Sequence, residues 1–339
     1  MGVLVIGMHR SGTSALSSVL EALGLDPGPA SGSMSSDVGN PEGYFEQRSV
    51  AEINDEILGH YGGRWDSPPL LAPGWALDLT AQEFVRRARD ILSSSYQNQH
   101  YVLKDPRISL LLPLWRRAVL DRCCAVVIVR DPSEVAWSLA LRNGLPALTG
   151  LALWAAYNRS LLSDLSGLPV HVCSYSDLVE SPREVIGDIV ASLQAWGEIG
   201  ADVDLEGAIA RVKADLRRDT RPASETELVS PPAEMTALMK LITDRRGRHD
   251  NFDVASSLDS GWWEGPLLEE RRTILQQTTA VVNEVEGVNR DLLKENVALR
   301  ETNAELRGQV DLLVDQVQRI RRFLPITIIQ RFRRRFSGS

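Results

Sequence analysis

The chain has 339 residues, of which 43% are hydrophobic and 24% charged, with a formal net charge of −8. That size and balance predict one large α/β domain plus an appendage, and the negative charge excludes a general nucleic-acid binder. The charge is uneven, because Gln316 to Ser339 holds seven arginines and no acid, so a basic tail hangs on an acidic body.

The opening Met-Gly-Val-Leu-Val-Ile-Gly lacks the basic and apolar regions of a signal peptide. Ile6 stands where a myristoylation signal needs Ser or Thr. Val3 to Ile6 is instead a short apolar run ending at Gly7, which predicts a buried parallel strand. After a loop over 7–12, Ala15, Leu16, Val19, Leu20 and Leu23 recur at helical spacing, with Gly24 suited to the C-cap. A second strand is predicted at Tyr101–Lys104, stopped by Pro106, and a third at Ala125–Val129. The chain then turns through Arg130-Asp131-Pro132 into a helix, with Asp131 as N-cap, Pro132 at N1 and Glu134 at N3 in a capping-box-like start. Pro169–Cys173 reads as a further strand. Cys123, Cys124 and Cys173 have neither metal nor disulfide spacing and fit a reducing compartment.

Strands alternating with helices predict a P-loop-like parallel sheet with helices on both faces, whose ligands bind at the carboxyl ends of the strands. Residues 221–234, with three prolines, read as a linker. Beyond Arg271 the texture changes. Val285, Leu292, Leu299, Leu306, Leu313 and Ile320 recur by sevens as d positions. Val282, Asn289, Asn296, Asn303, Val310, Val317 and Leu324 form the a positions. This pattern predicts a C-terminal parallel coiled coil, hence a homodimer, with the three asparagines setting its register and Glu295 at g facing Arg300 at e of the partner. A lone helix packed on the body would bury those asparagines at a cost. The expected divisions are 1–265, 271–324 and a basic amphipathic tail over 325–339. That tail mixes apolar anchors with arginines, as a segment lying on an anionic membrane surface does; a solvated tail is the alternative. No run of about twenty apolar residues predicts a membrane span. The expected location is cytoplasmic, or peripheral at the inner face of the membrane.

Two segments carry chemistry. Gly7-Met8-His9-Arg10-Ser11-Gly12-Thr13-Ser14 has the glycine spacing of a P-loop between a strand and a helix N-terminus. There, backbone amides, the helix dipole and the hydroxyls of Ser11, Thr13 and Ser14 converge on an anion. Thr13 replaces the lysine that a nucleoside triphosphate requires, which disfavours a kinase or ATPase, and Arg10 and His9 are expected to place positive charge in the loop instead. The second segment, Val127 to Leu139, puts Arg130 at a strand end and Ser138 on the second turn of the next helix, where they can grip a phosphate.

Together the two segments resemble the paired nucleotide-binding motifs of the sulfotransferases that use 3′-phosphoadenosine 5′-phosphosulfate (PAPS). The resemblance continues through Asn40 to Glu46, Lys104-Asp105-Pro106-Arg107 and Arg142-Asn143-Gly144. It covers roughly residues 1 to 220 and is similar to a bacterial branch linked to carbohydrate modification. It implies that Gly7, Arg10, Ser11, Gly12, Thr13 and Ser14 hold the 5′-phosphosulfate and that Arg130 and Ser138 hold the 3′-phosphate. Arg217 and Arg218 lie where related enzymes close a basic loop over that phosphate. It implies further a metal-free transfer to an acceptor hydroxyl, on a glycan or glycolipid. Arg10 and Lys104 would support the leaving phosphate, with Glu46 as base and Glu42 behind it; His9 is a further catalytic candidate by its intrinsic pKa, though its place inside the loop suits it better to donating a hydrogen bond or packing. Arg107 and Arg142 would bind the nucleotide or hold the site together. Trp65, Trp75 and Trp154 are candidates to stack on a sugar, though large aromatics usually serve the core. A kinase-like phosphotransferase and a non-catalytic coiled-coil scaffold are the competing readings.

Overall fold

The structure is a computed structural model in which residues 2–33, 45–96, 100–119, 123–212, 231–253 and 264–323 are described. The chain divides into two units, residues 1–272 and 273–339. In chain order the elements are β1 Gly2–Ile6, α1 Thr13–Ala22, α2 Arg48–His60, α3 Leu79–Ser95, β2 Tyr101–Lys104, α4 Ile108–Ala118 and β3 Cys123–Val129. They continue with α5 Pro132–Asn143, α6 Ala147–Asp164, β4 Val170–Ser174, α7 Tyr175–Glu180, α8 Pro182–Ala195, α9 Leu205–Ala210, α10 Ala233–Thr243, β5 Gly247–His249 and α11 Glu264–Phe323.

The five strands form one sheet in the order β2-β1-β3-β4-β5. The first four run parallel and β5 runs antiparallel to β4. The sheet is therefore not wholly parallel. The short Gly-Arg-His strand carries no apolar signal by which the sequence would announce it. Alternate strand residues face opposite layers. Leu4, Ile6, Leu103, Ala125, Val127 and Val129 pack with α2 to α6 and α10. Val3, Val5, Val102, Cys124, Val126 and Ile128 pack with α1, α8 and α9. Both faces are thus covered by helices, which is why β1 and β3 read as unbroken apolar runs.

Local chemistry ends the elements where the sequence places the signals. Gly24 (φ +94°) follows α1, its N–H donates to Glu21 O at 2.9 Å, and Leu25 N–H donates to Leu20 O at 3.2 Å, a Schellman closure. Asp131 caps α5 by accepting from the N–H groups of Ser133 and Glu134 at 2.8 and 3.2 Å. The Glu134 carboxylate accepts from Arg130 Nε at 2.7 Å, so it serves the arginine. After β1 the chain crosses to β2 on one side and later to β3 on the other. The switch point of the sheet thus lies between β1 and β3, and a ligand crevice is expected outside their carboxyl ends. Among the described residues no helix is long and apolar enough to cross a membrane.

Candidate functional site

The loops after β1 and β3 meet at that switch point. Gly7 lies so close to β3 that a Cβ would stand 2.5 Å from Ile128 O. Gly12 has φ +96°, and a Cβ there would stand 2.3 Å from the Tyr175 ring. Only glycine meets both demands, backbone approach and a left-handed turn. No side chain caps α1, whose N-cap is Gly12. Among the described residues, Arg10 (φ +68°) and Phe45 (φ +52°) are the non-glycine positions with positive φ, and both border this loop or Glu46 beside it.

The two motifs are physically joined. Arg10 Nε donates to Ser138 Oγ at 2.7 Å across 128 positions of sequence. Arg130 Nη1 donates to Arg10 O at 3.1 Å, and its guanidinium lies 4.5 Å from the centre of the Tyr175 ring. Arg130 is in turn held from behind, because its carbonyl accepts from Trp154 Nε1 at 2.9 Å. Trp154 is wholly buried, so it is a core residue that supports the site. Two buried polar atoms here lack a partner: Ser11 Oγ and Arg130 Nη2. Both belong to residues at most 5% exposed, and one is a charged group. An uncompensated hydroxyl and guanidinium N–H at a helix N-terminus fit an anionic ligand.

Lys104 ends β2 and is buried. Its Nζ donates to Glu46 Oε1 at 2.6 Å and to Ser14 Oγ at 3.2 Å, so Lys104 and Glu46 stand beside the anion loop. Neither is a solvated surface charge; they are 3% and 6% exposed. Arg107 donates from Nη1 to Asp105 at 2.8 Å and from Nε and Nη2 to Asp55 at 2.7 and 3.2 Å. It therefore holds α2 against the loop that begins α4. Burial works against the Arg107 charge, yet Asp105 and Asp55 more than offset it and its pKa is raised. Burial also pushes Asp105 up, against the pull of Arg107.

His9 requires a correction. Burial, reinforced by the charges of Arg107, Lys104 and Arg10, holds its pKa well below the usual range. It is a neutral imidazole and adds no positive charge to the loop. Its ring packs 4.7 Å from Trp65 and edge-on at 5.7 Å from Tyr157, and its Nε2 has no partner.

Arg142 sits partly exposed in the last turn of α5, and Trp75 lies in a short 3₁₀ turn at the edge of the core. Arg217, Arg218, Glu42 and Asn40–Tyr44 lie outside the described residues, as does the tail over 325–339. Sequence reasoning missed Asp55, Tyr157 and Tyr175. Tyr175 had a usable signal, a strand end followed by a capped helix start; the other two are joined to the site only through distant contacts. Among the described residues no cluster of three or more His, Cys, Asp or Glu side chains is arranged to hold a metal ion.

No protein-family model and no curated protein matches the chain. The solved structures that overlap it include two sulfotransferase domains. A sulfotransferase domain from the curacin biosynthetic pathway is 15% identical, spans 71% of this chain and 96% of its own, and has a TM-score of 0.43. A sulfotransferase domain from the Synechococcus PCC 7002 olefin synthase is 16% identical, spans 80% and 94%, and has a TM-score of 0.38. Both likenesses are distant, and the function is therefore argued from the chain's own residues.

Proposed function

We propose that the chain is a sulfotransferase that takes a sulfuryl group from PAPS and passes it to an acceptor hydroxyl, a glycan being the acceptor class that the sequence resemblance favours. The observation that carries this reading is the convergence of Arg10, Ser11, Arg130 and Ser138, with two unpartnered buried polar atoms, at the switch point of the sheet. When bound, PAPS supplies a sulfuryl group activated by its phosphate leaving group. Ser11, Thr13, Ser14 and the first turn of α1 bind the 5′ anion, and Arg130 with Ser138 binds the 3′-phosphate. Arg10 and Lys104 place positive charge where negative charge gathers, in a site dry enough for that charge to count. Glu46 stands beside Lys104 as the carboxylate to receive the acceptor proton, while neutral His9 shapes the wall. Thr13 in place of the P-loop lysine is what sets this reading above a kinase.

Calorimetric titration with adenosine 3′,5′-bisphosphate tests the reading. Micromolar binding to the wild type, weakened at least tenfold in Arg130→Ala, supports it. Binding of ATP with Mg²⁺ and none of the bisphosphate would overturn it in favour of a kinase-like enzyme, and silence with both would leave a scaffold.

The heptads of α11 support a further part of the reading, a parallel homodimer through that helix. From Val282 to Val317 its a and d apolar residues stand 47–62% exposed in the single chain. A second copy is the occupant that matches Asn289, Asn296 and Asn303 with identical partners in register and sets Glu295 against Arg300. Light scattering of the full chain reads the stoichiometry.

A further inference from the structure

The tight turn Arg64–Ser67 carries two neighbouring side chains that face different tasks. Arg64 N–H donates to Ser67 O at 2.9 Å and Ser67 N–H returns to Arg64 O at 3.2 Å, which leaves Trp65 and Asp66 at the tip. The Trp65 ring is the one packed on His9, and the Trp65 carbonyl accepts from the Tyr157 hydroxyl at 2.8 Å. Asp66, 7% exposed, is gripped from the root of α11. Arg271 Nε donates to Asp66 O at 2.9 Å and Arg271 Nη2 to Asp66 Oδ2 at 2.7 Å. Arg272 Nη2 adds a bond to Pro68 O at 2.7 Å, and Leu268 is buried in the same body.

We propose that Arg271 is a positioning residue for the anion loop: by fastening Asp66 it holds the turn that keeps Trp65 against His9. A planar guanidinium bound to both the carbonyl and the carboxylate of one residue fixes that residue in position and orientation. In a turn closed at both ends, fixing Asp66 leaves Trp65 little room to move. His9 Nε2 makes no hydrogen bond, so the rings of Trp65 and Tyr157 govern where the imidazole sits. Displacing Trp65 therefore releases the middle of the loop that carries Arg10 and Ser11. The inference rests on the reading of that loop as an anion site, and it gives the root of α11 a role in the site beyond anchoring the helix.

The test titrates the full chain with inorganic sulfate and, separately, with adenosine 3′,5′-bisphosphate. Arg271→Ala is expected to weaken sulfate binding roughly tenfold, within the range by which residues away from a ligand modulate its site. Arg271→Lys, which keeps the charge but not the fork, is expected to lose less. Trp65→Ala is expected to match Arg271→Ala, and the double variant to be no worse than either, since both act through one contact. A lowered melting temperature with unchanged sulfate affinity, or losses that multiply in the double variant, would overturn the proposal. Should Arg271→Ala fail to fold, Arg271→Lys carries the test, and wild-type affinity there overturns it. A wild type that binds sulfate but not the bisphosphate sinks the donor reading alone, with the positioning role still read on sulfate. A wild type that binds neither sinks both.

Discussion

Lys104 and Glu46 meet at 2.6 Å with both side chains nearly sealed from water. Desolvating two charges costs several kcal/mol apiece, and only close geometry with added hydrogen bonds offsets it; here the Ser14 hydroxyl supplies one such bond. Such a pair is weak as a stabilising device, which leaves chemistry as the better reason to place it beside an anion loop. Stability and function can be separated by two variants. Lys104→Met strands a buried carboxylate and is expected to cost about 3–5 kcal/mol in urea unfolding. The double variant Lys104→Met/Glu46→Leu is expected to recover most of that loss while remaining without transferase activity. A double variant that regains activity would show the pair to be structural.

At the scale of elements, β4 carries a charge-sensitive contact away from the site. His171 is buried, its Nδ1 lies 2.8 Å from Ser192 Oγ, and Ser192 Oγ donates to Asp188 O on α8. The Ser192 oxygen is thus left to accept from the imidazole N–H. Burial lowers the His171 pKa from 6.5 to about 4, with His249 adding to the fall and Asp188 opposing it. The folded state therefore takes up its proton later than the unfolded chain does. Stability is full above about pH 6.5 and is lost as pH falls towards 4, by about 3 kcal/mol from this group. His171→Gln is expected to flatten the acid limb of a urea-stability profile between pH 6.5 and 4; an unchanged slope would refute the assignment. What the sequence revealed of such elements follows from the range of the signals. Val3–Ile6, the Asp131 cap and Gly24 are local patterns, and the glycines at 7 and 12 marked their loop. β5 has three residues without an apolar pattern, and the grip of Arg107 on Asp55 spans 52 positions, so neither leaves a local trace. The positive charge expected of His9 fails for a related reason: burial lowers its pKa first, with Arg107, Lys104 and Arg10 adding to the fall, and the burial comes from distant segments that the loop sequence does not contain.

For the whole molecule the governing feature is α11, 60 residues and about 90 Å of helix. Beyond its root it has Gly287 and Gly308 inside it, each costing about 1 kcal/mol relative to Ala, and a row of exposed valines and leucines. Most helical stability in proteins comes from packing an apolar face, so this segment requires an occupant for its stripe. The three a-position asparagines choose among occupants, because an asparagine buried against an apolar residue at the same level leaves its amide groups unpaired. Leu299→Lys with Leu306→Lys places like charges across two d layers and is expected to turn the proposed dimer into a monomer by light scattering. Its affinity for adenosine 3′,5′-bisphosphate should stay at the wild-type value, because neither residue contributes to the first unit. Asn296→Ile is expected to do the reverse, raising the melting temperature of the helix while allowing higher oligomers, since the polar layer trades stability for a single stoichiometry. A wild-type chain that remains monomeric at tens of micromolar would refute self-pairing and leave the stripe to a different protein, one whose own heptads carry polar residues at those three levels.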